Sequence, residues 1–411
     1  MKNFSILLIA FFCSYGFSAI GQTAPAQLAD QKATKKTAIL YDNLMSLSRQ
    51  GTLFGQHETM AYGVGWWGEP GRSDVKEISG SYPAVHGWDI GKIGTDKSIN
   101  GVPFDDVHRY IREVYKRGGI NTVAWHMDNL ARGGNSWDTT HVVKDMLPGG
   151  KAHEAYLAKL DLAADFFKKC RANLFTPIPI IFRPYHEHNG DWFWWGKGYC
   201  TEEEFVQLWQ FTVNYLKNEK NVHNLIYAFS PDRSRMNLEE GKPAYLYAYP
   251  GDDYVDILGL DDYWDMGFEG NKKPLAEQRV DLVKSLKLTD ELAKEKNKVA
   301  ALTETGLDKL TTPDWYTGHL LSSLKEELEP LQISYIMVWR NANTGHHYSP
   351  YKGHPAEEDF RKFTADEQIL MEDDVQNIYK RRKPLVSNEK KGRKTNLQSV
   401  TQSSRDTTAS H

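Results

Sequence analysis

The chain has 411 residues, which is long enough for one large domain or two ordinary ones. Aromatic residues make up 12% of it, including 12 Trp and 21 Tyr, and the formal net charge is −4. The sequence pI is about 6.4, so the chain has no basic footprint and neither nucleic acid nor an anionic membrane is expected as a partner.

The first 21 residues predict a secretory signal peptide. Lys2 precedes the apolar run Ile6–Phe12, and Ala19 and Gly21 supply small side chains at the spacing that cleavage after Gly21 requires. The apolar run is too short to span a membrane. We therefore expect a soluble protein that is exported, either secreted or periplasmic, and that does not insert into a membrane.

Downstream, apolar runs alternate with stretches of helical spacing. A flexible polar leader is expected at 22–37, and a Ser/Thr/Lys-rich disordered tail at 384–411. Strands are predicted at 52–57, 83–89, 120–126, 177–183, 225–230, 255–261, 298–303 and 333–339. Helices are predicted at 40–48, 104–117, 156–170, 201–217, 277–296, 315–327 and 365–381.

Eight strands alternating with helices predict an α/β fold, a single (β/α)8 barrel at residues 38–383. A doubly wound open sheet is the alternative, but no Gly-rich dinucleotide fingerprint follows the first strand. Polar and aromatic side chains occur at the C-terminal strand ends, where barrel active sites are built. These residues are His57, Asp89, His126, Glu187, Asp261, Glu304 and Trp339.

Two cysteines remain after removal of the signal peptide, Cys170 and Cys200. They flank the strand at 177–183, and a strand of six residues spans about 20 Å. That separation exceeds what a disulfide tolerates, so both are expected to be free. No Cys/His spacing predicts a zinc site, and we expect no metal or organic cofactor.

Titratable and aromatic side chains that could take part in a reaction are concentrated in the stretch 180–195. An apolar run ends at Pro184, which has no N–H to donate and therefore takes the chain out of the sheet. His186, Glu187 and several aromatic residues follow. Indoles around a carboxyl group raise its pKa, as a general acid requires, and indole faces suit the apolar faces of sugar rings. The stretch therefore indicates carbohydrate chemistry, whereas the simpler interpretation is an aromatic cluster that packs a strand end.

Glycoside hydrolysis uses a second carboxylate on the other side of the scissile bond. Glu304 is the candidate, because a small apolar strand ends there and Gly306 follows. Counting strands places Glu187 after the fourth and Glu304 at the seventh. A barrel would bring both carboxylates to one mouth.

These residues resemble glycoside hydrolase family 26, whose best-known members are endo-β-1,4-mannanases. The resemblance covers about residues 38–380. Its most specific parts are Arg-Pro-Tyr-His-Glu-x-Asn-Gly at 183–190, Trp192 with Trp194–Trp195, and Thr-Glu-Thr-Gly at 303–306. The family places its acid/base after strand four and its nucleophile after strand seven, which agrees with the strand count.

The resemblance implies a retaining double displacement, with Glu187 as acid/base and Glu304 as nucleophile. It implies that Tyr263 hydrogen-bonds the nucleophile and that Trp339–Arg340 lines the subsites on the non-reducing side. Trp192 matches an indole platform near the leaving group. The implied substrate-binding residues are His126, His186, Trp192, Asp261, Tyr263, Trp339 and Arg340, with Trp88 and Trp137 as further candidate platforms.

The implied substrate is a β-1,4-mannan, glucomannan or galactomannan, as polysaccharide or oligosaccharide, and the enzyme is expected to be a monomer. The same chemistry on mixed-linkage β-glucan or β-1,3-xylan stays open, because loops discriminate between these glycans. A non-catalytic glycan-binding protein is the alternative from another class. The presence of both Glu187 and Glu304 argues against it.

Overall fold

The computed structural model describes residues 27–326, 331–375 and 377–381, and its centre is a closed barrel of parallel strands. The strands are β1 (Thr52–His57), β2 (Val85–Asp89), β3 (Ile120–Trp125), β4 (Ile180–Pro184), β5 (Leu225–Phe229), β6 (Ile257–Asp262), β7 (Val299–Thr305) and β8 (Ile333–Val338). Strands adjacent in sequence are adjacent in the sheet, and β8 pairs with β1 to close it. The (β/α)8 prediction is confirmed, and the closure excludes an open sheet.

Helices fill most of the connections between strands. The α-helices are α1 (Lys35–Leu47), α2 (Asp74–Ser79), α3 (Phe104–Arg117), α4 (Val143–Met146), α5 (His153–Lys169), α6 (Glu202–Asn214), α7 (Lys242–Tyr245), α8 (Leu275–Lys296), α9 (Ser322–Leu324) and α10 (Glu357–Ala365). Short 3₁₀ turns occur at Arg233–Arg235, Asp252–Tyr254, Trp264–Met266, Asp308–Leu310 and Glu372–Val375. The helices predicted at 201–217 and 315–327 contain π-helical segments, Tyr215–Glu219 and Tyr316–Leu321.

Local sequence explains where the longer helices begin and end. Gly118 ends α3 in the left-handed conformation, with φ 100°. The Thr201 hydroxyl accepts the N–H of Glu204, and the Glu204 carboxylate accepts the N–H of Thr201, which forms a capping box on α6. Asn297, with φ 53°, ends α8 immediately before β7. The two left-handed residues at the helix ends turn the chain toward β3 and β7.

The core has two layers because successive strand residues point to opposite sides of the barrel wall. In β4, Ile180 and Phe182 pack in the cluster between the sheet and the helices, whereas Ile181 packs inside the barrel, whose lower end α1 covers. Arg183 has the same orientation as Ile181 and is only 2% exposed. A charged side chain inside the barrel requires paired partners, and these belong to the site described below.

The leader predicted at 22–37 differs from the structure over its described part. Leu28, Ala29 and Asp30 are buried. The N–H of Ala29 donates to Asp256 Oδ1 at 2.7 Å, and the Asp30 carboxylate lies 2.8 Å from His223 Nδ1. Residues 28–30 therefore pack against the lower end of the barrel, which their polar, Ala-rich surroundings in the sequence did not indicate.

The helix predicted at 365–381 is wrong. Among the residues that the structure describes, the last α-helix is α10, which ends at Ala365, and Asp366 then adopts extended backbone. Ile369–Leu370 forms a short strand that pairs with Thr52–Leu53 of β1. The apolar residues of this segment add a short strand to the edge of β1. That long-range pairing outweighs the helical spacing of the sequence.

Three further predictions concern residues away from the barrel mouth. Cys170 and Cys200 are free, as predicted, with Cys170 buried at the end of α5. The signal peptide at 1–21 and the tail at 384–411 lie outside the described residues. Within the described ranges, no helix is long and apolar enough to cross a membrane.

Candidate active site

A cavity of about 550 Å³ opens at the C-terminal ends of the barrel strands. Its wall contains most of the predicted site residues, from the ends of β3, β4, β6, β7 and β8. These are His126, His186, Glu187, Trp192, Tyr263, Glu304 and Trp339. Asp261 and Arg340 lie behind the wall. The barrel therefore brings Glu187 and Glu304 to one cavity, as the strand count predicts.

Glu304 is fixed by two donors. The Tyr263 hydroxyl donates to Oε1 at 2.9 Å, and Arg183 Nη2 pairs with Oε2. Burial, together with the Glu304 carboxylate, raises the pKa of Tyr263 well above its ordinary value, so its hydroxyl keeps the proton that it donates. Because each carboxylate oxygen has a fixed donor, the arrangement holds the Glu304 side chain in one orientation.

Arg183 is in turn held by Asp261. Arg183 Nη1 lies 2.5 Å from Asp261 Oδ2, and the other oxygen, Oδ1, accepts from the Thr303 hydroxyl at 2.7 Å. A side chain at Gly259 would prevent this, because its Cβ would lie 2.6 Å from the Thr303 side chain. Asp261 therefore acts on Glu304 through Arg183 and does not line the cavity.

Glu187 has a different environment. Its Oε2 accepts from Trp192 Nε1 at 2.6 Å, and the side chain is otherwise buried, with 9% exposed. Burial raises the pKa of Glu187 well above its ordinary value, and the carboxylates of Asp232, Asp261 and Glu304 raise it further. The raised pKa favours the protonated form of Glu187, which is the form that a general acid needs.

Asn189 and Asp232, for which the sequence predicts no role, anchor the segment that carries Glu187. Asn189 Oδ1 accepts the N–H of Asp232 at 2.7 Å, and Asn189 Nδ2 donates to the Asp232 carbonyl at 2.7 Å. The Glu187 N–H donates to the carbonyl of Ser230 at 2.8 Å. Burial raises the pKa of Asp232 to about 6. In the sequence, the position of Asp232 just after the predicted fifth strand is the feature that could have identified it as a site residue.

Imidazoles form one side of the cavity. His126 Nδ1 donates to Asp89 Oδ2 at 2.5 Å, and its ring meets that of His186 edge to face, with centroids 4.6 Å apart. Burial lowers the pKa of His186 well below its ordinary value, so this ring is neutral. Within the described ranges, no group of three or more His, Cys, Asp or Glu side chains is arranged to hold a metal ion.

The two further candidate platforms, Trp137 and Trp88, lie in different environments. Trp137 is 49% exposed and lines the cavity, where its ring stacks on His126. Trp88 is fully buried, stacks on Tyr110 and donates to Asn121 Oδ1 at 2.9 Å. The prediction for Trp88 is wrong, because alternation along β2 points this side chain outward against α3.

The cavity extends across the barrel mouth. Trp192 follows β4, and Trp339 follows β8, on opposite sides of an eight-stranded barrel. The guanidinium of Arg235 lies 5.3 Å from the Trp192 ring centre, so that one indole face is covered. Arg340 is turned away from the cavity toward Tyr62, with Nη1 3.3 Å from the hydroxyl.

A (β/α)8 barrel whose mouth holds two buried carboxyl groups in an aromatic cleft has the architecture and site of a glycoside hydrolase. The chain belongs to glycosyl hydrolase family 26, whose model matches residues 29–303. The match confirms the resemblance noted in the sequence. It ends immediately before Glu304, so the position of this residue rests on the structure.

Similar proteins are described as mannanases. A solved GH26 β-mannanase from Bacteroides ovatus is 39% identical, with a TM-score of 0.78, over 87% of this chain and 99% of that chain. An endo-β-1,4-mannanase structure from Cellulomonas fimi is 34% identical, with a TM-score of 0.78, over 86% and 79% of the two chains. A mannan endo-1,4-β-mannosidase of Bifidobacterium adolescentis is 32% identical over 381 residues, 86% of this chain. The matched region spans 37% of that protein and 53% of a Bacillus subtilis relative.

Proposed function

We propose that this protein hydrolyses β-1,4-mannosidic bonds in mannan, glucomannan or galactomannan by double displacement with retention of configuration. The observation that carries the proposal is the contrast between its two carboxyl groups. Glu304 is paired with Arg183 and bonded by Tyr263, whereas Glu187 is buried with a raised pKa beside a single indole donor. One group is equipped to attack and the other to donate a proton.

In the first step, Glu304 attacks the anomeric carbon and Glu187 protonates the departing glycosidic oxygen. The bond to the leaving sugar breaks as the bond to Glu304 forms. Arg183 and Tyr263 keep the attacking carboxylate in position during the step. Charge passes from Glu304 to the now ionised Glu187, whose new charge the Trp192 N–H stabilises.

In the second step, the ionised Glu187 removes a proton from water, and the water oxygen attacks the anomeric carbon of the glycosyl-enzyme. Glu304 leaves as a carboxylate and recovers its pair with Arg183. Two inversions at one carbon give net retention.

The choice of mannan is supported by the names of the relatives, which are mannan endo-1,4-β-mannosidases and β-mannanases. We propose that the protein acts as an exported monomer, since the first 21 residues have the pattern of a signal peptide. Mixed-linkage β-glucan and β-1,3-xylan are the competing substrates within the same chemistry.

Reducing-sugar release separates these substrates. The wild type should release sugar from mannan and much less from mixed-linkage β-glucan or β-1,3-xylan. The Glu304→Ala variant should bind mannan without cleaving it. Preference for another glycan would correct the substrate, and binding without cleavage by the wild type would indicate a glycan-binding protein.

The roles of the two carboxyl groups are tested with an activated aryl β-mannoside. Such a leaving group needs little protonation, so Glu187→Ala should still be glycosylated and then stall. Added azide should restore turnover and give a β-mannosyl azide, because truncation opens space for an anion that needs no general base. Glu304→Ala could yield only the α-azide. An α-azide from Glu187→Ala would contradict the assignment.

A further inference from the structure

A tryptophan outside the described cavity presents a free face to solvent. After β1, Tyr62–Gly63 and Trp66–Trp67 form a two-stranded hairpin. Trp66 is buried and donates from Nε1 to Asp74 Oδ1 at 2.7 Å, which fixes the hairpin. Trp67 is 56% exposed, and the Tyr62 ring stacks on one side of it, with centroids 4.7 Å apart and planes 7° apart. The structure therefore holds a rigid indole with its other face uncovered.

Contacts between side chains connect this indole to the wall of the cavity. β1 is the neighbour of β8 in the barrel, so the hairpin lies beside the residues that follow β8. Trp339 lines the cavity, and the adjacent Arg340 reaches Tyr62, with Nη1 3.3 Å from its hydroxyl. A series of contacts thus runs from Trp339 through the adjacent Arg340 and Tyr62 to Trp67, on the side of the barrel mouth opposite to Trp192.

Polar groups around the Tyr62–Trp67 pair can hydrogen-bond the hydroxyl groups of a sugar ring. The Arg340 guanidinium supplies several planar N–H donors for hydroxyl groups, and its centre lies 6.0 Å from the Tyr62 ring centre. Gly101 lies close to the edge of Trp67, since a Cβ built there would be 3.6 Å from the indole atom Cη2. The neighbouring Asn100 donates to Glu58 Oε1 at 3.1 Å, which ties this loop to the buried carboxyl group behind the hairpin.

We propose that Trp67, backed by Tyr62, whose hydroxyl Arg340 contacts, is a further subsite that binds one more sugar of the substrate chain. The subsite lies at the end of the cleft away from Trp192, beyond the sugar that contacts Trp339. This inference rests on the proposed function, because the occupant is a sugar of the same β-mannan chain. A flat apolar face that is linked to the cleft wall through Tyr62 and Arg340 favours that occupant.

The test compares substrates of different length. Trp67→Ala should lower kcat/KM for mannohexaose by about tenfold, the scale of a lost aromatic contact. It should leave kcat/KM unchanged for an aryl β-mannoside, which is too short to reach Trp67. Trp67→Phe should recover part of the loss. The matched control is Phe175→Ala, since Phe175 is 89% exposed in the hairpin that precedes β4, at the other end of the barrel. This control should match the wild type on both substrates.

A binding measurement tests the subsite independently of the proposed catalytic activity. The Glu304→Ala variant and the Glu304→Ala/Trp67→Ala double variant are titrated with mannohexaose by calorimetry. The Kd should be about tenfold higher for the double variant. Equal Kd values, or equal losses on long and short substrates, would overturn the subsite. Binding with the expected difference but no hydrolysis by the wild type would overturn only the catalytic proposal.

Discussion

Replacing Trp192 with Phe should raise the pKa of Glu187, because it removes the N–H that donates to Oε2 at 2.6 Å. That bond stabilises the ionised carboxylate, so its loss favours the protonated form. A hydrogen bond to a charged group contributes roughly 1.5–3 kcal/mol, and about 1.4 kcal/mol corresponds to one pKa unit. Glu187 must be protonated to act as the acid, so activity falls as the pH rises through its pKa. We therefore expect this alkaline limb to move up by about one to two pH units.

The assay is the pH profile of kcat/KM on manno-oligosaccharide, with Trp137→Phe as the matched control. Trp137 lines the same cavity but stacks on His126. The control should keep the alkaline limb of the wild type. Weaker stacking of sugar on the smaller ring of Trp192→Phe would lower kcat/KM at every pH and leave the position of the limb unchanged. An unmoved limb, or one displaced to lower pH, would refute Glu187 as the group that must be protonated.

Two further predictions concern the nucleophile and the lower end of the barrel. Tyr263→Phe removes a donor to Glu304 and should lower kcat by roughly ten- to a hundredfold with little change in Tm, and an unchanged kcat would contradict this role. Glu372→Ala removes the buried partner of Arg117 and His86 and should lower the unfolding free energy by about 3–5 kcal/mol in urea at neutral pH. Burial acts to raise the pKa of Glu372, but hydrogen bonds from His86 and Arg117 outweigh it and lower the pKa. The stabilisation should therefore be lost in acid, so the difference from the wild type should shrink below about pH 4, and a difference that persists there would contradict the ion pair.

The sequence was sufficient for the features that periodicity and strand order determine. Apolar runs separated by helical spacing predicted each barrel strand, and counting them placed Glu187 after β4 and Glu304 on β7. The two carboxyl groups share a cavity because the ends of parallel strands meet at one mouth. The sequence of each strand was enough to locate its terminal carboxyl group, and closure of the barrel brings the two groups together.

Predictions failed where a side chain's role depends on a distant partner. Ile369–Leu370 has an ambiguous pattern and becomes a strand because it pairs with β1. Trp88 and Trp137 are the same residue type near neighbouring strand ends. Their difference follows from the direction of each side chain relative to the barrel wall, since Trp88 lies within β2 and Trp137 in the loop after β3.

The segment that carries Glu187 shows the same dependence on distant partners at the candidate site. Tyr185 and Glu187 both have positive φ, 48° and 54°, in a conformation that costs about 1–3 kcal/mol for a residue other than glycine. The bonds from Glu187 to Ser230 and from Asn189 to Asp232 hold this backbone against the loop after β5. Sequence can place Glu187 at a strand end, but its direction into the cavity depends on partners more than forty residues away. The orientation of Glu187 is therefore a property of the closed barrel, because the loops after β4 and β5 become neighbours only when their strands pair.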